Sequence, residues 1–179
     1  FEQLITDELE DILPINEKII LLHSKIHRDV STIFIQIGCF NFETELHKRI
    51  REEGQLSRGE IAKLLTKHMK VFRGPVVDMN EGDGYGFVGW SHIRMFFYTY
   101  TYAFGHLISK AMYEKWKKDN SFEIKVREFL SAGSSMSPKD LFKKMGIDIT
   151  DPKFFESGLK AVDADITRLE KFAKKAKMI

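Results

Sequence analysis

Apolar residues recur along this chain at three- and four-residue steps, and that period constrains its fold more than any other feature. Leu22, Ile26, Val30, Ile33 and Ile37 are followed by Phe42, Leu46 and Ile50, a row that lies on one side of a helix. It predicts one long helix over residues 16–53, bent near Gly38. Ser57 with Glu60 three residues on forms a capping-box pattern ahead of the next apolar run. Residues 73–90 carry five glycines and one proline, which predicts a loop. Helical spacing resumes over 91–118, and Asn120 with Glu123 opens a segment that should stop near Gly133. Ser137-Pro138-Lys139-Asp140 combines a cap, a first-turn proline and an acidic first turn; that helix should end at Gly146. Asp151-Pro152 starts a last helix in which Phe155, Leu159, Val162, Ile166, Leu169 and Phe172 form one stripe. The expected class is all-α, a compact multi-helix unit over 1–179 with no internal repeat.

Composition narrows the partners. The chain has 28 Lys and Arg against 26 Asp and Glu, a net charge of +2, so no strong field favours nucleic acid or an anionic membrane. A hydrophobic share of 43% suits a sizeable core. No run reaches the roughly 18 uncharged apolar residues of a membrane span, and the opening FEQLITDELEDI is acidic where a signal peptide would be basic. The lone Cys39 leaves no internal disulfide and fits a reducing, cytoplasmic setting. The absence of an initiator Met suggests a piece of a longer chain.

Two segments invite chemistry. His23 and His27 stand four apart, the spacing at which zinc peptidases place the histidines of HExxH. Here Ser24 occupies the position of the general base and Lys25 adds a cation beside it, so the pair reads as two solvent-side histidines. His47 and His68 are single polar-face residues. The second segment is the aromatic run over 90–106. As a helix it would gather Arg94, Met95, Tyr98, Tyr102, Gly105 and His106 within about a third of the circumference, with His92 flanking them and Tyr100 opposite. Core packing and a cleft lined by two phenols and an imidazole both satisfy that spacing.

The runs WSHIRMFFYTYTYAFGHL and FLSAGSSMSPKDLFKKMGIDITDPKFFESGL resemble the C-terminal part of oligoendopeptidase F, within the thimet-oligopeptidase-like zinc metallopeptidases. STIFIQIGCFNFETELHKRIREEGQLSRGEI is similar to the family's segment just after the zinc site, so the resemblance covers about residue 20 to the end. It implies the C-terminal helical half of a zincin-type oligopeptidase. In such enzymes a HExxH helix and a downstream glutamate hold zinc, and the HExxH glutamate activates water. Tyrosine and histidine donors from a later segment stabilise the tetrahedral intermediate. The resemblance matches His92 to the family's histidine, Tyr102 to the tyrosine before Ala-x-Gly, and Tyr98 to an intervening tyrosine. Arg94 and Met95 become candidate substrate contacts. This chain departs from the family at Ser91, where proline is common, and at Met95, where many members carry tyrosine.

No HExxH occurs in these 179 residues. The expectation is therefore a C-terminal part of a zinc metalloendopeptidase acting on short peptides. It supplies His and Tyr contacts while the remainder of the chain carries HExxH and the zinc. This segment binds no metal and is inactive alone. On that reading Gly82, Gly84, Gly86 and Gly89 belong to a flexible loop bordering the cleft, against the plainer alternative of a surface turn. The rival for the whole chain is a non-catalytic all-helical binding module with a peptidase-like core.

Overall fold

A computed structural model describes residues 2–179; Phe1, at the head of the acidic opening, lies outside them. The described residues form α1 (Glu2–Ile12), α2 (Ile15–Val30), α3 (Gln36–Glu53), α4 (Arg58–Arg73), α5 (Tyr100–Lys118), α6 (Phe122–Ala132), α7 (Pro138–Lys144) and α8 (Pro152–Lys175). There is no strand among them, and the protein is all-α. No helix among the described residues is long and apolar enough to cross a membrane. The chain divides into two compact units, one of residues up to His27 with Leu107–Ile179, the other Arg28–His106.

In the Arg28–His106 unit the core is Cys39, Phe42, Leu64, Leu65, Met69 and Met79, closed by Ile35, Leu46, Ile61, Phe87, Trp90 and Ile93. The capping box is present: Ser57 Oγ accepts from the Glu60 amide at 3.3 Å, and the Ser57 amide donates to Glu60 Oε2 at 2.8 Å. The long helix departs from its expected course. A π-helical turn interrupts it at Ser31–Ile35, and Gly38 lies within the α-helical stretch that follows. A wider turn shifts the phase of the buried face, so Gly38, Cys39, Phe42 and Glu43 are buried and Ile50 is exposed. Gly38 instead lets α4 come close. A Cβ there would stand 2.8 Å from Met69 Cε and 3.0 Å from Phe72 Cδ2.

The glycine-rich loop is partly structured. Glu81–Val88 is a 3-10 helix, capped by Asn80, whose Oδ1 accepts from the Gly82 amide, and by Asp83, which accepts from the Asn80 amide. Gly84 is buried, and a Cβ on it would run into the Ala62 carbonyl and lie 2.7 Å from Thr66 Oγ1. The glycine thus serves close packing of this stretch on α4.

The other unit buries Leu22, Leu107, Ile108, Ala111, Phe122, Leu141, Phe142, Met145, Ile147 and Val162. α1 had no counterpart in the sequence expectations. Ser137 and Asp151 cap α7 and α8 as expected, accepting from the Asp140 and Lys153 amides. At α6 the N-cap residue is Ser121 and not Asn120, with no side-chain cap bond; Asp119 accepts from the Ser121 amide and hydroxyl. The α8 stripe is corrected as well. Its buried positions are Gly158, Val162 and Asp165, while Leu159 and Ile166 are exposed. Gly158 turns the helix face toward α5, where a Cβ would meet the Leu107 carbonyl at 2.7 Å. A buried charge cluster sits on that face. Lys25 Nζ lies 2.8 Å from Asp165 Oδ2, Arg168 pairs with Asp165 and with Glu10, and Tyr113 donates to Asp7 Oδ2 at 2.9 Å.

Candidate functional site

The aromatic run is not one helix. Ser91–Arg94 is a short 3-10 turn and α5 begins only at Tyr100. Between them Phe96 and Phe97 adopt left-handed backbone, φ 48° and 62°, a conformation that costs a bulky residue about 1–3 kcal/mol. The helix-face grouping of Arg94 and Met95 with Tyr98 and Tyr102 therefore does not apply.

His92, Tyr98 and Tyr102 nevertheless meet, by another route. Ile93 and Trp90 pack on the core and fix the turn that carries His92. The left-handed pair then reverses the chain, and α5 starts with the Thr101 amide and hydroxyl donating to the Tyr98 carbonyl at 3.1 Å and 2.7 Å. As a result the Tyr102 hydroxyl lies 3.2 Å from His92 Nε2. The imidazole stacks on Tyr98 at 5.5 Å between centroids and meets Tyr102 edge-on at 5.4 Å; the two phenols are 5.6 Å apart and perpendicular. Tyr98 is exposed, and His92 and Tyr102 are half-buried. Burial, then the neighbouring Tyr98 phenol, raises the Tyr102 hydroxyl above its ordinary range. It is therefore a neutral hydroxyl throughout the physiological range, able to donate to developing negative charge.

Arg94 spends its guanidinium elsewhere, donating to the Val88 carbonyl at 2.9 Å and the Trp90 carbonyl at 3.4 Å, which ties down the end of the glycine-rich segment. Met95 is half exposed after the turn. His106 leaves the tyrosines and lies 2.6 Å from Asp29 Oδ1. Sequence reasoning passed over Glu43. This fully buried carboxylate of α3 accepts the Phe97 amide at 2.6 Å, and its Oε2 has no hydrogen-bond partner among the described residues. Phe97 packs on His47 at 5.0 Å and Phe40 at 6.0 Å. A hydrogen bond to a charged group contributes about 1.5–3 kcal/mol, comparable with the strain of one left-handed residue, so the ring contacts must supply the rest.

The described residues do not fit a metal centre. Among the described residues no three His, Cys, Asp or Glu side chains gather so as to hold a metal ion. His23 and His27 are exposed, and Lys25 between them is buried against Asp165. His68 is engaged with Glu45 at 2.7 Å.

The chain belongs to Peptidase family M3, whose family model matches residues 6–161. It is similar to Oligopeptidase PepF of Bacillus subtilis (strain 168), 26% identical over 167 residues that make up 90% of this chain and 24% of that protein. It is also similar to the chromosomal Oligoendopeptidase F of Lactococcus lactis subsp. cremoris, 24% identical over 89% of this chain and 27% of that protein. An Oligoendopeptidase F homolog of Mycoplasma genitalium is 35% identical over 88 residues, 42% of this chain and 14% of that protein. The chain spans about a quarter of the length of the first of these relatives. No solved structure matches it significantly.

Proposed function

We propose that this chain forms part of an M3 metalloendopeptidase that hydrolyses short peptides, and that His92, Tyr98 and Tyr102 are its donors to the substrate. One observation carries the proposal: the Tyr102 hydroxyl and His92 Nε2 stand 3.2 Å apart, with Tyr98 stacked on the imidazole. A hydroxyl and an imidazole so placed can both turn toward one oxygen. When water adds to a peptide carbonyl, negative charge grows on that oxygen, and donors already in place stabilise it without reorganisation. The raised Tyr102 hydroxyl keeps its proton for that role. Tyr98 restricts the imidazole plane by stacking, and its phenol hydrogen-bonds with Tyr102.

The water-activating metal, zinc by the resemblance, and the HExxH that holds it belong to another part of the polypeptide, since HExxH does not occur in these 179 residues. Alone, the 179-residue chain is inactive. A cytoplasmic setting completes the proposal, supported by the single buried Cys39.

The test is Tyr102→Phe in the full-length polypeptide. The variant should fold normally and lose about 10²–10³-fold in kcat, the usual effect of deleting one oxyanion donor. Unchanged turnover would remove Tyr102 from the role, and chelator-sensitive peptide cleavage by the pure 179-residue chain would overturn the assignment of the metal to another segment.

A further inference from the structure

We infer that Glu43 is the positioning residue of this site: its buried carboxylate holds the Phe96–Phe97 reversal that brings His92 and Tyr98 against Tyr102. This inference rests on the donor role proposed for those three residues, but its geometry can be tested without any activity.

His92 and Tyr98 approach Tyr102 only because the backbone reverses between the 3-10 turn at Ser91–Arg94 and the start of α5 at Tyr100. The reversal consists of two consecutive bulky residues at φ 48° and 62°. Such a pair is not a resting preference of the chain, and it persists only where surrounding structure over-determines it. Phe96 is 82% exposed and brings little packing to hold its backbone. Among the described residues the one hydrogen bond on the reversal that comes from a distant element is the Phe97 amide to Glu43 Oε1, 2.6 Å across 54 positions of sequence.

Glu43 is itself well fixed. It has no exposed surface and stands on α3 one residue beyond Phe42 of the core. His47, one turn on, brings Nε2 to 4.0 Å from the same Oε1 and its ring to 5.0 Å from Phe97. A rigid helix thus presents an acceptor at one fixed point, and the Phe97 amide is the donor there. A carboxylate has no obvious reason to be buried in an apolar core apart from such a task, because burying a charge is unfavourable unless a donor meets it. Among the described residues Glu43 accepts from the Phe97 amide and makes no hydrogen bond to His92, Tyr98 or Tyr102. It acts through the backbone that carries them.

The test uses Glu43→Gln, which keeps an acceptor oxygen, and Glu43→Met, which fills similar space without one. In the 179-residue chain the readouts are NMR contacts between the His92 and Tyr102 rings and hydrogen exchange of the Phe97 amide. Glu43→Gln should keep both. Glu43→Met should lose the ring contacts and raise Phe97 exchange by about tenfold or more, while amides of α4 stay protected. Adding Phe96→Gly to Glu43→Met should restore the ring contacts in part, since glycine takes up left-handed backbone without strain; if the single variant does not fold, this double variant carries the comparison. In the full-length polypeptide Glu43→Met should lower kcat at least tenfold with KM within about twofold, and Glu43→Gln should recover most of it. Ring contacts and Phe97 exchange unaltered in Glu43→Met would overturn the inference and leave the donor roles standing. Lost contacts with unaltered turnover would instead overturn the donor roles.

Discussion

At the residue scale, full burial sets the chemistry of single side chains. Cys39 is the plainest case. It has no exposed surface, and burial, with the Glu43 charge behind it, pushes its thiol up to about 12 from an ordinary 9.0. The thiolate fraction near pH 8 should therefore fall about 10³-fold on folding, and the thiolate is the reactive form. A soluble disulfide reagent should label the native chain at least 10²-fold more slowly than the urea-unfolded chain; equal rates would mean that Cys39 is open to solvent. The raised value also sets a sign. The folded state holds the proton more tightly, so the thiol's contribution to stability is complete below about pH 9 and is lost as pH rises toward 12. The sequence already marks Cys39, beside the apolar Phe40, as a buried small hydrophobe. The Phe96–Phe97 reversal carries no such mark. Left-handed backbone at two phenylalanines runs against local preference, and the group that meets it, Glu43, is 54 positions away. The resemblance points to His92, Tyr98 and Tyr102, and the structure groups them through this reversal rather than through a shared helix face.

At the element scale, legibility follows the range of the interactions. Ser57 with Glu60, Ser137 with Asp140 and Asp151 with Lys153 are contacts over two or three residues, and their pattern marks the helix starts. The π-helical turn at Ser31–Ile35 and the 3-10 stretch at Glu81–Val88 answer to packing against other elements, so spacing alone misplaces them. The glycines of that stretch separate the two kinds of constraint. Gly84→Ala drives a methyl into the Ala62 carbonyl, whereas Gly89 has nothing within 4 Å of a Cβ and an ordinary φ of −86°. Gly84→Ala should lower the unfolding free energy in urea by about 1–3 kcal/mol, and Gly89→Ala should change it by less than about 0.5 kcal/mol. Equal effects would mean that the 3-10 stretch does not pack on α4.

At the scale of the whole molecule, a balance of 28 basic and 26 acidic residues describes an ordinary solvated surface and hides where the charges go. Lys25 and Asp165 lie 7% and 4% exposed, outside the apolar stripes that periodicity marks on their helices. Their 2.8 Å pair is extended by Arg168, Glu10 and Asp7. Burial raises Glu10 above the ordinary carboxylate range, and Arg168 opposes that shift, so the cluster carries its own desolvation penalty. Buried pairs of this kind contribute little when complete and are costly when halved. Asp165→Leu leaves Lys25 buried without its carboxylate and should lower stability by about 3–5 kcal/mol. Lys25→Met combined with Asp165→Leu removes both charges and should recover at least half of that loss, because no ion is stranded. Urea unfolding of the single and double variants at pH 7 decides the matter. A double variant as unstable as Asp165→Leu would show that the pair itself is strongly stabilising. Recovery would show that Lys25 and Asp165 are buried charges whose penalty the rest of the helical packing sustains.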